Sequence, residues 1–147
     1  MGKSIIDSIT YSPLKKIPNS LGEVWHGIKS SDADFKSFGE AYFSYVKKGK
    51  IKGWKKHNSA TLNLIVPLGE IHFFAHDFNV SNFDETKLKK FVLGEENYYR
   101  LTVPPGVWLA FMGIKNRNML LNISDCPHDP DEASNTPLNT FFFNKND

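Results

Sequence analysis

The chain has 147 residues, the size of one ordinary domain, because single domains run to roughly 100–200 residues and this many can bury a continuous core. Two independent catalytic domains are excluded, and a composition that is 40% hydrophobic and 14% aromatic, with 12 Phe, 5 Tyr and 3 Trp, excludes a disordered chain. Lys and Arg number 18 against 16 Asp and Glu, a net charge of +2, so the protein does not work by overall charge, although local patches stay open.

A single cysteine, Cys126, makes neither an intramolecular disulfide nor a cysteine metal cluster, and fits a reducing compartment. No apolar run approaches the roughly 20 residues that cross a bilayer. The start, Met1-Gly2-Lys3-Ser4-Ile5-Ile6, has no extended apolar core or small-residue cleavage site, and Ile6 stands where a myristoylation signal wants Ser or Thr. The expectation is a soluble cytoplasmic protein with no membrane partner.

Short β-branched and aromatic runs bounded by Gly, Pro, Asn or Asp recur along nearly the whole chain, which is the pattern of strands joined by turns. They predict strands over 5–11, 23–28, 40–46, 50–57, 61–67, 70–77, 90–93, 98–103, 107–112, 118–124 and 140–143. Gly49, Pro67-Leu68-Gly69, Gly94 and Pro104-Pro105-Gly106 punctuate them. Helix is confined to one short turn that 31–36 could start, and no Rossmann or Walker phosphate loop is present. Ten or so short strands predict an all-β sandwich or jelly roll. The Asn- and Asp-rich stretch after Pro127 reads as a loop, and Phe141-Phe142-Phe143 as an apolar end that must dock on something.

The segment Lys47-Lys48-Gly49-Lys50-Ile51-Lys52-Gly53-Trp54-Lys55-Lys56-His57 carries six lysines in eleven residues. Three readings stay open for it: a solvated edge strand whose lysines discourage pairing, a nucleic-acid surface with Trp54 stacking a base, and a pocket in which ammonium groups hold an anionic small molecule. The rest of the chain has no matching basic stripe, which weighs against nucleic acid. His72 and His76 stand about 13 Å apart along a strand, too far to share a metal, and fit one face of a sheet. His128 between two prolines reads as part of a rigid loop, and Cys126 as inert. Tyr42 and Tyr45, three apart, face opposite sides, so one of them can reach a pocket.

Phe38-Gly39-Glu40-Ala41-Tyr42-Phe43-Ser44, Lys52-Gly53-Trp54-Lys55-Lys56-His57, Thr61-Leu62-Asn63, Gly69-Glu70-Ile71, Val103-Pro104-Pro105-Gly106-Val107-Trp108 and Pro127-His128-Asp129-Pro130-Asp131-Glu132, in this order, resemble the cupin-fold sugar-nucleotide enzymes of the dTDP-4-dehydrorhamnose 3,5-epimerase-like family. The likeness spans roughly 20–133 and implies a cupin-type double-stranded β-helix. In the epimerases an Arg-Gly-Leu-His stretch supplies a phosphate-binding arginine and the base histidine, and in shorter relatives it becomes Lys-Gly-Trp-His-x-His. Here Lys52 keeps the cation, Lys55 stands at the base histidine, and His57 is the second histidine. The family's Asp-x-Arg-Gly reads Asn19-Ser20-Leu21-Gly22, and Leu121 falls near the acid tyrosine. At the cupin metal ligands stand Lys55, His57, Leu62 and Leu109, so no metal or other cofactor is expected.

The resemblance implies a nucleotide-linked 4-keto-6-deoxy sugar as substrate, enolised next to its ketone, in surface-polysaccharide synthesis. His57 or Lys55, the latter as a base or a Schiff-base former, would move the proton, with Tyr42 as the acid. Lys52 and Arg100 would hold the diphosphate, Thr61 and Asn63, next on the inward-facing alternation after His57, would bond the sugar hydroxyls, and Trp108 would stack the nucleotide base. It also implies a homodimer. Two other classes remain beside it: a non-catalytic binder of a nucleotide sugar or partner enzyme, with the base histidine lost to Lys55, and a structural dimer in which 141–143 completes a neighbour's sheet.

Overall fold

Leu62, Leu64 and Val66 alternate with Thr61, Asn63 and Ile65, and a chain with that period buries its first set only by lying flat as a strand over a core. The computed structural model describes residues 4–145 and shows this pattern repeated. Met1, Gly2 and Lys3, on which part of the reading of the start rests, lie outside the described residues. The strands are β1 (Thr10–Pro13), β2 (Lys16–Ile17), β3 (Val24–Trp25), β4 (Glu40–Tyr45), β5 (Ile51–His57), β6 (Leu62–Leu68), β7 (Glu70–His76), β8 (Lys89–Gly94), β9 (Tyr99–Val103), β10 (Trp108–Gly113), β11 (Met119–Ser124) and β12 (Ala133–Asn135).

Two five-stranded antiparallel sheets face each other, one in the order β1-β9-β6-β11-β4, the other β12-β5-β10-β7-β8, and β2 pairs β3 in a small separate ribbon. This is the all-β cupin-type jelly roll that the strand pattern and the resemblance lead one to expect. Between the sheets Leu64, Val66, Ile71, Phe73, Leu93 and Leu101 form the main core. The β6–β7 turn depends on Gly69, at φ +78°, where a Cβ would stand 2.2 Å from the Arg117 carbonyl oxygen.

The chain ends depart from the sequence reading. Within 5–11, Ile5–Ser8 is a 3-10 turn that drops Ile6 into the core, and strand begins only at Thr10. Of 23–28 only Val24 and Trp25 pair, with the unforeseen Lys16–Ile17. Residues 31–36 form turns without a helix. The supposed loop after Pro127 contains β12, whose Ala-Ser-Asn composition has little intrinsic strand preference and is held by pairing with β5. The lysine-rich strand is therefore no sheet edge, since β10 flanks it on one side and β12 on the other.

Residues 140–143 are not a strand. Phe141 and Phe143 fold back over the outer face of the chain's own second sheet, on Trp54 and Phe74. Burying each is worth about 1.5–3 kcal/mol. Beneath Phe141 lies His76, 1% exposed, with rings of Trp54, Phe83 and Phe141 within 5 Å. Burial pulls its pKa down to about 4, against the opposing pull of Asp77.

A histidine that is neutral in the fold and titrates near 6.5 when unfolded takes up its proton preferentially in the unfolded chain between those values. Stability is therefore complete above pH 6.5 and falls as the pH drops toward 4, by about 3 kcal/mol. Urea midpoints measured from pH 7.5 to 4 are expected to fall along this limb, and His76→Phe to flatten it.

Candidate active site

The main core fills only part of the space between the sheets. Where β4 and β11 face β5 and β10, the inward side chains leave a cavity of about 310 Å³, which adjoins an outer chamber of about 240 Å³. Tyr42, Lys55, His57, Leu62 and Asn135 border both spaces.

Simple alternation along β5 would send Lys52 and Lys55 to opposite faces. The pairing with β10 prevents this: Lys55 opposes Leu109 and Lys52 opposes Phe111, so Gly53 and Trp54 together stand across from Ala110. This bulge resets the parity, and Lys52, Lys55 and His57 all line the cavity, while Trp54 turns outward under the tail. Gly53 is required there. Its φ is +142°, and a Cβ would lie 2.6 Å from that of Ala110. Lys52 Nζ donates to Ser44 Oγ at 3.1 Å and to the Tyr45 carbonyl at 2.6 Å, bracing β5 against β4.

The strongest electrostatic feature is one that the sequence reading did not single out. Glu132, just before β12, accepts a hydrogen bond from His57 Nδ1 at 2.6 Å through Oε1. Its Oε2 accepts from the backbone N–H groups of Asn58, Ser59 and Ala60 at 2.8, 2.8 and 3.0 Å. Burial alone would raise the carboxyl pKa, but the bonds from His57 and from the backbone of Ser59 and Ala60 outweigh it and hold the group at about 2. With Glu132 ionised, the 2.6 Å contact calls for a ring proton on His57 Nδ1, whichever charge the ring carries, and in the neutral ring that proton is the only one. That leaves Nε2 as a bare acceptor, the state that a general base needs.

On the facing sheet, Tyr42 is the tyrosine that enters the cavity, while Tyr45 lies outside beneath Arg117. The Tyr42 phenol accepts from Asn122 Nδ2 at 3.0 Å, and burial, then the nearby Glu40 charge, raise its pKa. It therefore keeps a proton to give.

Four of the residues expected to touch substrate, Arg100, Asn63, Thr61 and Trp108, lie outside this cavity. Arg100 points from the outer face of β9 and is 3% exposed, with Nη2 on Asp34 at 2.6 Å, Nη1 on the Gly27 carbonyl at 2.8 Å and near Asp32 at 3.3 Å, and Nε on Asn63 at 3.1 Å. Its donors are engaged in pinning the 27–34 segment to the outer face of the sheet. Asn63 is on that same outer face, and Thr61 borders the outer groove beside Arg100. The physical reason is parity: the turn at 58–61 brings the apolar Leu62 and Leu64 inward and leaves the polar residues between them outside. Trp108 packs on Phe141 and under Lys56 Nζ, in the tail layer outside the barrel.

The remaining candidates sit as rigid or peripheral groups. His72 bonds Glu70 at 2.7 Å on the sheet's outer face, and His128 borders the outer chamber from its loop. The Cys126 thiol, its pKa raised chiefly by Asp125, lies by the same chamber. Among the described residues no group of three or more His, Cys, Asp or Glu converges as metal ligands, and no helix is long and apolar enough to cross a membrane.

No family model matches the sequence, nor does any curated protein. Solved structures do. A dTDP sugar isomerase from Desulfovibrio desulfuricans G20 is 30% identical with a TM-score of 0.85, over 98% of this chain and 94% of that one. A variant of the 3,4-ketoisomerase from Thermoanaerobacterium thermosaccharolyticum, in complex with TDP-4-keto-6-deoxyglucose, is 17% identical with a TM-score of 0.73, over 87% of each chain. The dTDP-4-dehydrorhamnose 3,5-epimerase of Bacillus anthracis, with TDP and pyrophosphate bound, is 17% identical with a TM-score of 0.77, over 95% of this chain and 83% of that one.

Glu132→Gln keeps the side chain's shape and removes its charge. Because the depressed pKa stabilises the fold above pH 4.5 and ceases to do so as pH falls through 2, the variant is expected to lose about 1–3 kcal/mol at pH 7 and to lack that acid limb in urea titrations.

Proposed function

The chain belongs to the cupin-fold family of dTDP-sugar epimerases and isomerases, and we propose that it isomerises or epimerises a dTDP-linked 4-keto-6-deoxy sugar within the cavity between its sheets. The observation that carries this reading is the His57–Glu132 pair in a cavity that Tyr42, Lys52 and Lys55 also line.

In this mechanism His57 Nε2 removes the proton from a carbon next to the C4 ketone. The C–H electron pair becomes the new C=C bond, and the carbonyl π pair moves to oxygen, where the Tyr42 hydroxyl donates. Glu132 stabilises the imidazolium that forms, and Lys55 and Lys52 offset the charge of the enolate and diphosphate. Delivery of a proton from solvent to the other face of the same carbon, with the His57 imidazolium releasing the abstracted proton to solvent, inverts it. Return of the proton to C4, with the neighbouring hydroxyl losing its proton, moves the ketone to C3. Arg100 takes no part, since its partners are Asp32, Asp34, Asn63 and Gly27.

Lys55, at the place of the family's base histidine, makes the non-catalytic binder the second reading. A nucleotide-sugar product would serve surface-polysaccharide synthesis. The homodimer is supported by Phe38 and Phe43, 66% and 64% exposed, the latter on the edge strand β4.

Proton NMR of dTDP-4-keto-6-deoxyglucose in deuterated water tests the reading. The wild-type protein is expected to wash out the C3 or C5 proton signal faster than a protein-free control, and His57→Ala to slow that loss by about 10²–10⁴-fold. Full ligand occupancy with both signals retained would overturn the enzymatic reading in favour of the binder.

A further inference from the structure

Among the described residues two buried polar side-chain atoms have no hydrogen-bond partner, and their surroundings differ. His76 Nε2 belongs to a ring packed among Trp54, Phe83 and Phe141, with Nδ1 accepting from the Phe78 N–H at 3.1 Å. That side chain is a structural filler beneath the tail. Asn122 Oδ1 belongs to a side chain that is 6% exposed and lies on the wall of the central cavity. Buried amide oxygens are nearly always paired, so an unpaired one on a cavity wall marks where a ligand's donor belongs.

The rest of the amide is already committed. Asn122 stands opposite Tyr42 in the β11–β4 register, and its Nδ2 donates to the phenol oxygen at 3.0 Å. Because the phenol oxygen is the acceptor in that bond, its own O–H is left to donate elsewhere. One donor, the Tyr42 hydroxyl, and one unpaired acceptor, Asn122 Oδ1, thereby belong to cross-strand neighbours that both line the cavity. Leu64 and Leu120, which line the same cavity, supply no competing hydrogen bonds from their side chains.

The ligand complementary to an adjacent donor and acceptor carries an acceptor and a donor on neighbouring atoms. A ketone beside a carbon that bears a hydroxyl is such a group. We propose that Asn122 is the specificity-determining residue of the site: its Oδ1 accepts the hydrogen bond of the C3 hydroxyl while Tyr42 donates to the C4 ketone, so that the pair together reads an α-hydroxyketone. The inference rests on the nucleotide-keto-sugar reading above and adds to it a requirement for the C3 hydroxyl. A site built to pair a hydroxyl rejects the analogue lacking it, because the protein atom is then left buried and unpaired.

Isothermal titration calorimetry with three ligands separates the possibilities: dTDP, dTDP-4-keto-6-deoxyglucose, and the 3-deoxy counterpart of that sugar. Wild-type protein is expected to bind the hydroxylated keto sugar about tenfold or more tightly than the 3-deoxy analogue. Asn122→Leu is expected to bind both with equal, weakened affinity and to bind dTDP within about twofold of wild type. Equal binding of the two sugars by wild-type protein would overturn the role of Asn122 and leave the nucleotide-sugar reading standing. Weakening of dTDP itself by Asn122→Leu, in step with the sugars, would overturn it in favour of a packing role. Failure of wild-type protein to bind any of the three would remove both proposals. The wild-type comparison needs no variant, so it decides the matter even if Asn122→Leu does not fold.

Discussion

The site depends on one carboxylate. Glu132 gathers three consecutive backbone N–H groups from the β5–β6 turn and the His57 ring onto its two oxygens, across 72–75 residues of sequence. A turn that presents successive N–H groups to one point is a concave anion seat, and here the anion belongs to the chain itself. The same bonds close the β5–β6 turn, fasten the start of β12 to β5, and set the protonated nitrogen of His57. The β5–β6 turn, the start of β12 and the proposed base thus share one interaction, and a change in the charge of Glu132 reaches all three.

A second constraint divides the barrel's polar residues between its two sides. The wall strands carry polar groups on both faces, but only those facing β5 belong to the cavity. Arg100, Asn63 and Thr102 form an ionic and hydrogen-bonded patch on the outside, where Asp32 and Asp34 neutralise the guanidinium and hold the 27–34 segment down. Inside, Tyr42, Asn122 and His57 stand among leucines, where hydrogen bonds are less screened and a missing partner is costly. The bulge at Gly53 and Trp54 brings Lys52 into this inner set.

Much of the fold was legible because its strands alternate strongly and its turns carry Gly and Pro, so the central strands from 40 to 124 stand close to where the pattern puts them. The ends were not. Ala133–Asn135 is a strand by virtue of its partner, and 140–143 has strand-like residues whose bulk serves better as a lid over Trp54. Of the residues that the order of motifs singles out, His57, Lys52, Lys55 and Tyr42 come together on one cavity. Thr61 and Asn63 lie outside the cavity because alternation from His57 does not persist through the turn at 58–61, and Arg100 because Asp32, Asp34, Asn63 and the Gly27 carbonyl hold its guanidinium on the outer face. Trp108 was misplaced because the covering tail, which gives it an apolar partner outside the barrel, was not foreseen. Glu132 stood within a quoted motif, yet nothing local announces that a residue 75 positions away will fold onto His57. Asn122 gave no signal at all, since its importance lies in an oxygen that the folded chain leaves unpaired.

If Glu132 sets the His57 tautomer, a bare Nε2 faces the ligand in the cavity. Two-bond ¹⁵N–¹H correlation spectra of the histidine rings in alkaline buffer, with and without dTDP-4-keto-6-deoxyglucose, test it directly, with Glu132→Gln used to assign His57. The account predicts a His57 ring protonated on Nδ1, with an Nε2 resonance that moves when the nucleotide sugar is added. A ring protonated on Nε2, or one indifferent to the ligand at saturation, would contradict it.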